Sequence, residues 1–377
     1  MSRFSRLRKP LRVGVFGVIS GPHGPPVSGR GGFGFRRAYD LRGAQGASTV
    51  QDIARKPESS TPDRWKKFEG SSAEVSTYIG SGTFYTSGYY NRYASLAVFA
   101  KPSYSLGTPY KLALRARLYV EEELTSPDMP NYRRFYPYDP WFWLSADNLK
   151  TFERTKIRVS GAFRVIVPVS WESRYQHMLF GVGGGPAFNR NFTFGQVDDE
   201  ARKWTLTLLW QSVFVKYVQT SHFRGSGPGD TTGCMAPNGG GTGGTTSGGS
   251  FSSGEGDHCG GPANTNYAFG NTFMASLARG KWSGMMTLYL SNAFKYAFPA
   301  DVLTNDNAAL TGRSDMTWGI VALSYELRPH LSLSAGISSL QPALDSRYRY
   351  PRFPFWDFAG GNFNNYSQVF LSVGGIL

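Results

Sequence analysis

Seven charged side chains in two short stretches carry the chemistry of this sequence. Residues 111–121 read KLALRARLYVE and residues 155–169 read TKIRVSGAFRVIVPV. Lys111, Arg115, Arg117 and Glu121 in the first, and Lys156, Arg158 and Arg164 in the second, are separated by even numbers of residues. Successive side chains of an extended chain point to opposite faces, so each set falls on one face of a strand. Gathered inside a low-dielectric wall, such cations raise the local concentration of anions and exclude small cations. The alternative is that Glu121 and Glu123 pair with these cations and close the interior.

Other chemistries are poorly served. The five histidines, His23, His177, His222, His258 and His330, form no HExxH or nucleophile-elbow pattern. His177 near Glu172 and Ser173 is the nearest approach to a catalytic group, and no enzyme and no cofactor are expected. Residues 224–262 are a Gly, Ser and Thr tract that carries both cysteines, Cys234 and Cys259, near its ends. A bridge between them would restrict a flexible loop, and a paired count suits an oxidising compartment. A metal site from Cys234, Asp257, His258 and Cys259 lacks zinc-ligand spacing and is not expected.

The elements that must position the seven residues follow from period-two alternation. Leu112, Leu114, Ala116, Leu118 and Val120 oppose the charged face of the first stretch, and Ile157, Val159, Phe163, Val165 and Val167 that of the second. The pattern recurs over about twelve segments: 74–85, 93–104, 111–123, 140–146, 155–169, 175–189, 204–218, 264–277, 282–298, 315–327, 330–340 and 366–377. An even number of strands with an apolar and a polar face predicts an all-β, antiparallel, up-and-down transmembrane barrel. Connection lengths alternate as such a barrel needs. Those near 105–109, 278–281 and 328–329 are short, and those over 125–138, 219–263, 299–313 and 341–365 are long. Two connections break the rule, 171–174 being short for an external loop and 190–203 long for a turn. Trp171, Tyr175, Trp204, Trp282, Tyr296, Phe298 and Tyr325 fall near strand ends, as two interfacial girdles require. The competing reading places the same aromatics in the core of a soluble β-sandwich.

Composition agrees with a barrel. The 377 residues are 40% hydrophobic and 18% charged, and no apolar run of about 18 residues offers a transmembrane helix. The net charge of +14 is concentrated at the start: residues 1–70 hold 14 Lys and Arg against 5 Asp and Glu. That leader, residues 1–72 with the barrel over 73–377, reads as a disordered basic extension. An export signal is the other reading: Arg3 to Arg12 supply a positive start and 13–19 (VGVFGVI) a short apolar core, although no A-x-A cleavage site follows.

Over residues 73–377 the sequence resembles bacterial outer-membrane β-barrel proteins, in particular poorly characterised porin-like barrels. The residues that carry the likeness are HLSLSAGISSLQPALD, an aromatic loop, and the last strand YSQVFLSVGGIL, with Leu377 where such barrels usually place an aromatic. The resemblance implies an outer-membrane location, contact with the lipid bilayer and recognition of the last strand by the barrel-assembly machinery. Twelve strands enclose little room. The expected function is therefore passive, weakly anion-preferring passage of small solutes through a narrow channel. The alternatives are a structural or adhesive barrel acting through its external loops, and a soluble jelly-roll coat protein whose arm from Arg3 to Arg12 would bind nucleic acid. Nucleic acid is not expected as a partner of the barrel.

Overall fold

In a computed structural model of the chain, the described residues are 63–84, 93–107, 110–125, 135–195, 203–221, 264–296, 312–344, 350–356 and 367–376. Fourteen strands lie in one sheet: β1 (Ser72–Gly80), β2 (Ala94–Lys101), β3 (Ser103–Ser105), β4 (Leu112–Glu123), β5 (Phe135–Pro137), β6 (Trp141–Phe152), β7 (Ile157–Ile166), β8 (Met178–Gly195), β9 (Lys203–Gln219), β10 (Thr265–Arg279), β11 (Trp282–Lys295), β12 (Arg313–Arg328), β13 (Leu331–Pro342) and β14 (Ser367–Ile376). Two are fragments of a neighbour. Pro102 interrupts one wall strand, so that β2 pairs with the far part of β4 and β3 with its near part. Residues 138–140 similarly divide β5 from β6, both paired to β4. Proline cannot donate to the ladder, which is why both breaks fall beside Pro102 or Pro140.

The remaining twelve strands form a closed ring. β1 pairs with β14 on one side and β2 on the other, β2 pairs with β4, and every pairing around the wall is antiparallel. Closure leaves no free edge along the wall, which is what allows strands to cross hydrocarbon. The start of β1 and the end of β14 meet at Ser72 and Ile376. That terminal end also carries the tight turns at 153–156, 280–281 and 329–330, while the long connections lie at the opposite, loop end.

Register fixes which side chain faces where, because directly paired residues share a face. Leu114, Leu144 and Phe163 are paired across β4, β6 and β7, and all three are exposed, Phe163 to 58%. Val321, Leu323, Leu371 and Val373 continue the outer apolar face. The alternate positions turn inward: Arg117 is 5% exposed and Glu121 1%. The greasy face is thus outermost, the reverse of two stacked sheets, and the sandwich and jelly-roll readings fail on that arrangement. An even-stranded closed barrel dressed in Leu, Val and Phe spans a bacterial outer membrane.

Aromatic pairs mark both rims. Trp282 packs against Tyr325 and Phe194 against Trp204 at the terminal end, and Phe214, Tyr267, Phe269 and Phe294 cluster at the loop end. The loop-end segment 350–356 lies on the outside of β12 and β13. Gly319 faces outward, and a Cβ there would strike the Pro354 carbonyl and come within 2.9 Å of Phe355 Cα. Gln341 donates to the Phe353 carbonyl. The segment covers outward polar residues that would otherwise meet lipid: Thr317, Ser339, Gln341 and Ser367 are all buried.

Several boundaries differ from the sequence reading for local reasons. The first strand stops at Gly80 because Ser81–Phe84 forms a 3-10 turn, held where the Thr83 hydroxyl donates to the Tyr93 carbonyl (2.8 Å) and accepts from its N–H (2.9 Å). β8 and β9 run on to Gly195 and back from Lys203, so the overlong sixth connection shrinks to 196–202. The short fifth connection holds one helical turn, Trp171–Tyr175. Ser170 caps it, accepting from Ser173 N at 3.1 Å, and Asp139 accepts from Ser170 N at 2.7 Å.

Candidate functional site

The inner faces of β4, β6 and β7 bring two arginines to one tryptophan. Arg117 pairs across to Trp141, and Arg115 to Trp143, which in turn faces Arg164. The Arg117 guanidinium lies 5.4 Å from the Trp141 ring centroid, 5.6 Å from Phe99 and 6.0 Å from Tyr119. Arg164 lies 5.0 Å from the same Trp141 ring. Aromatic faces attract cations, most strongly where water is excluded.

Two apolar clusters lie on the inner face. Met274, Met285, Tyr289, Trp318, Ile320 and Leu340 form one buried cluster, and Trp141, Ile166, Met178, Val213 and Val215 another. Both occupy inward positions. Tyr289 lies over Gly270, where a Cβ would stand 2.5 Å from its hydroxyl, and Phe370 lies over Gly336. Small polar side chains share the inner face of β12 and β13 with them. Ser324 and Ser334 hydrogen-bond at 2.7 Å, and Trp318 Nε1 donates to Ser338 Oγ at 2.7 Å. Rings, serines and glycines thus alternate along the inner faces of β10 to β14.

The carboxylates are engaged. Glu121 accepts from the hydroxyls of Tyr93, Tyr119 (3.2 Å) and Tyr138 (2.9 Å). Asp147 receives two bonds from Arg115, at 3.1 and 2.6 Å, near Lys101. Asp147 keeps the inward phase of Trp141, Trp143 and Ser145 along β6.

The seven sequence candidates are therefore distributed unequally. Arg115, Arg117, Glu121 and Arg164 share the inner wall. Arg158 takes an inward position at the terminal end of β7 and is exposed, while Lys111 and Lys156 stand in exposed turns with φ of 50° and 55°. Cys234, Cys259, Asp257 and His258 lie outside the described residues. Ser173 donates its hydroxyl to Asp139, and His177 Nε2 is buried without a hydrogen bond, so these two do not form a nucleophile and base pair. Sequence reasoning missed Trp141, Tyr289, Trp318, Lys101 and Asp147. For Trp141 a signal existed in PWFWLSA, but both phases there are apolar and alternation could not rank them.

No protein-family model matches the chain, and no curated protein matches it. Among solved structures, the chain is similar to an outer membrane channel from Pseudomonas putida F1, at 10% identity and a TM-score of 0.44, covering 86% of this chain and 100% of that one. It is also similar to the outer membrane protein OpdK from Pseudomonas aeruginosa (8% identity, TM-score 0.26, 81% and 98% covered) and to a TodX monoaromatic hydrocarbon channel variant (11%, 0.27, 82% and 90%).

Proposed function

We propose that the barrel is a narrow channel for passive passage of small solutes, with a weak preference for anions and no catalytic role. The observation that carries this reading is the placement of Arg117 and Arg164 at one inward tryptophan ring. A solute passing that ring meets two guanidinium groups in a low-dielectric surround, where charge selects strongly. Of the carboxylates nearby, Asp147 is already paired with Arg115, and Glu121 sets one negative charge, held by three phenols, against the two guanidinium groups. The filled interior favours small conductance over a wide pore. Assembly would use β14, whose outward Val369, Leu371 and Val373 alternate with Gln368, Phe370 and Ser372.

Conductance of the purified protein in planar bilayers tests the proposal. Small channels with a chloride preference are expected, together with loss or reversal of that preference in Arg164→Glu. Absence of channels, or cation preference in the unaltered protein, would reject it. An adhesive role is the second reading, favoured by the exposed aromatics Tyr350, Phe353 and Trp356 on the loop-end segment. It calls for loss of surface binding, with conductance intact, when residues 224–262 are deleted.

A further inference from the structure

Outward-facing cations at the two ends of the wall are held differently. At the loop end, Lys216 donates to Asn266, and Arg313 pairs with Asp315 at 2.6 Å. At the terminal end, Lys150 lies 5.0 Å from the Phe152 ring centroid, Arg190 4.3 Å from Phe192 and Arg279 5.0 Å from Trp204. Register puts all three on the outer face: Lys150 pairs with Val159, Arg190 with Leu208 and Arg279 with Trp204. None of the three has an acidic partner among the described residues, and Arg190 Nε is buried without a hydrogen bond.

We propose that this face of β6 to β10 binds the phosphates of anionic phospholipids in the leaflet on the terminal side. Each charged group lies over an outward-facing ring near the terminal rim, on a side chain long enough to turn its tip to the headgroup layer. The three lie on alternate strands, with Arg190 two residues and Arg279 a further four residues along from the paired row, so neighbouring α-carbons are about 12 and about 16 Å apart and the cations take separate headgroups. Among the described residues no carboxylate is paired with any of the three, whereas the loop-end cations are already satisfied by Asn266 and Asp315. The proposal rests on the membrane placement of the barrel and is independent of what passes through it.

Full-length protein in an uncharged detergent, titrated with phosphatidylglycerol or phosphatidylcholine and followed by native mass spectrometry, tests the inference. The variants are Lys150→Gln with Arg190→Gln and Arg279→Gln, and Lys216→Gln with Arg313→Gln as the loop-end control. Heat-modifiable migration on gels verifies that each is folded. Phosphatidylglycerol is expected to bind in preference to phosphatidylcholine. Its affinity should fall about fivefold for each terminal-end charge removed, and on the order of a hundredfold for all three. The loop-end control should bind as the unaltered protein does, and inorganic phosphate should not compete. Equal binding of the two lipids, competition by inorganic phosphate, full affinity in the triple variant or an equal loss in the control would each overturn the proposal. If the triple variant does not fold, Arg190→Gln alone decides: a fivefold loss supports the site and unchanged affinity refutes it.

Discussion

Arg115 of β4 and Asp147 of β6 meet through two parallel hydrogen bonds, Nη2 to Oδ2 at 2.6 Å and Nη1 to Oδ1 at 3.1 Å. The bidentate form is the strongest geometry available to such a pair. Both side chains are part-exposed, 25% and 39%, so the contribution to stability is modest, about 1 kcal/mol after solvent screening. Arg115→Glu sets two carboxylates together and should lower the midpoint of urea unfolding in detergent. Adding Asp147→Arg should recover most of the loss. Additive destabilisation in the double variant would show that the pair does not couple.

Glu121 poses a larger demand because it is 1% exposed and accepts from Tyr93, Tyr119 and Tyr138. Tyr138 comes from the link between β5 and β6, so one carboxylate joins two wall strands to a loop-end connection. Glu121→Leu removes an acceptor from three hydroxyls and should cost about 2–4 kcal/mol. Glu121→Gln keeps an acceptor oxygen and should cost less. The temperature at which the heat-modifiable gel band disappears gives the ranking. Equal behaviour of Leu and Gln would mean that the hydroxyls find other partners.

Wall curvature depends on particular glycines. A Cβ on Gly183 of β8 would strike the Phe214 carbonyl and approach Val215 Cα to 2.9 Å, and one on Gly184 would strike the Ala162 carbonyl. Backbone cannot yield as a side-chain tip can, so Gly183→Ala should fail to assemble into a heat-modifiable barrel. Gly284→Ala of β11 is the matched control, since its Cβ would meet only the Ala322 carbonyl at 4.0 Å. It should assemble normally. A normal barrel from Gly183→Ala would mean that β8 and β9 can separate locally.

The closed sheet was legible in the sequence because period two repeats wherever lipid lies on one side, as at Leu114 and Leu118 against Arg115 and Arg117. The strand count followed from the same pattern, and residues 93–104 read as one strand because Pro102 interrupts pairing without changing the phase. Strand ends were less legible. Phe192 and Phe194 continue the outer face of β8, but Arg190 between Phe188 and Phe192 disguises the run. The site was legible only for its charges. Inward positions on β12 are Trp318, Ile320 and Ala322, opposite outward Val321 and Leu323, so polarity does not separate lumen from lipid there. Asp147 falls one residue past the segment 140–146, which hid it as the partner of Arg115, and the contact of Arg164 with Trp141 depends on the pairing of β6 with β7.

Size and charge at the constriction separate two terms that a single variant would confound. Trp141→Ala removes the ring shared by Arg117 and Arg164 and widens the layer without changing formal charge. It should raise single-channel conductance while weakening anion preference, because wider, wetter surroundings screen the guanidinium groups. Arg164→Gln removes one charge at similar volume and should weaken the preference with a smaller change in conductance. Arg158→Glu alters an exposed residue at the terminal end of β7 and should change selectivity less than Arg164→Glu does, with the difference growing as salt is raised. Chloride against potassium permeability, measured from reversal potentials across a salt gradient, reports all four. If Arg158→Glu shifts selectivity more than Arg164→Glu, control of ion passage lies at the terminal mouth and not at Trp141.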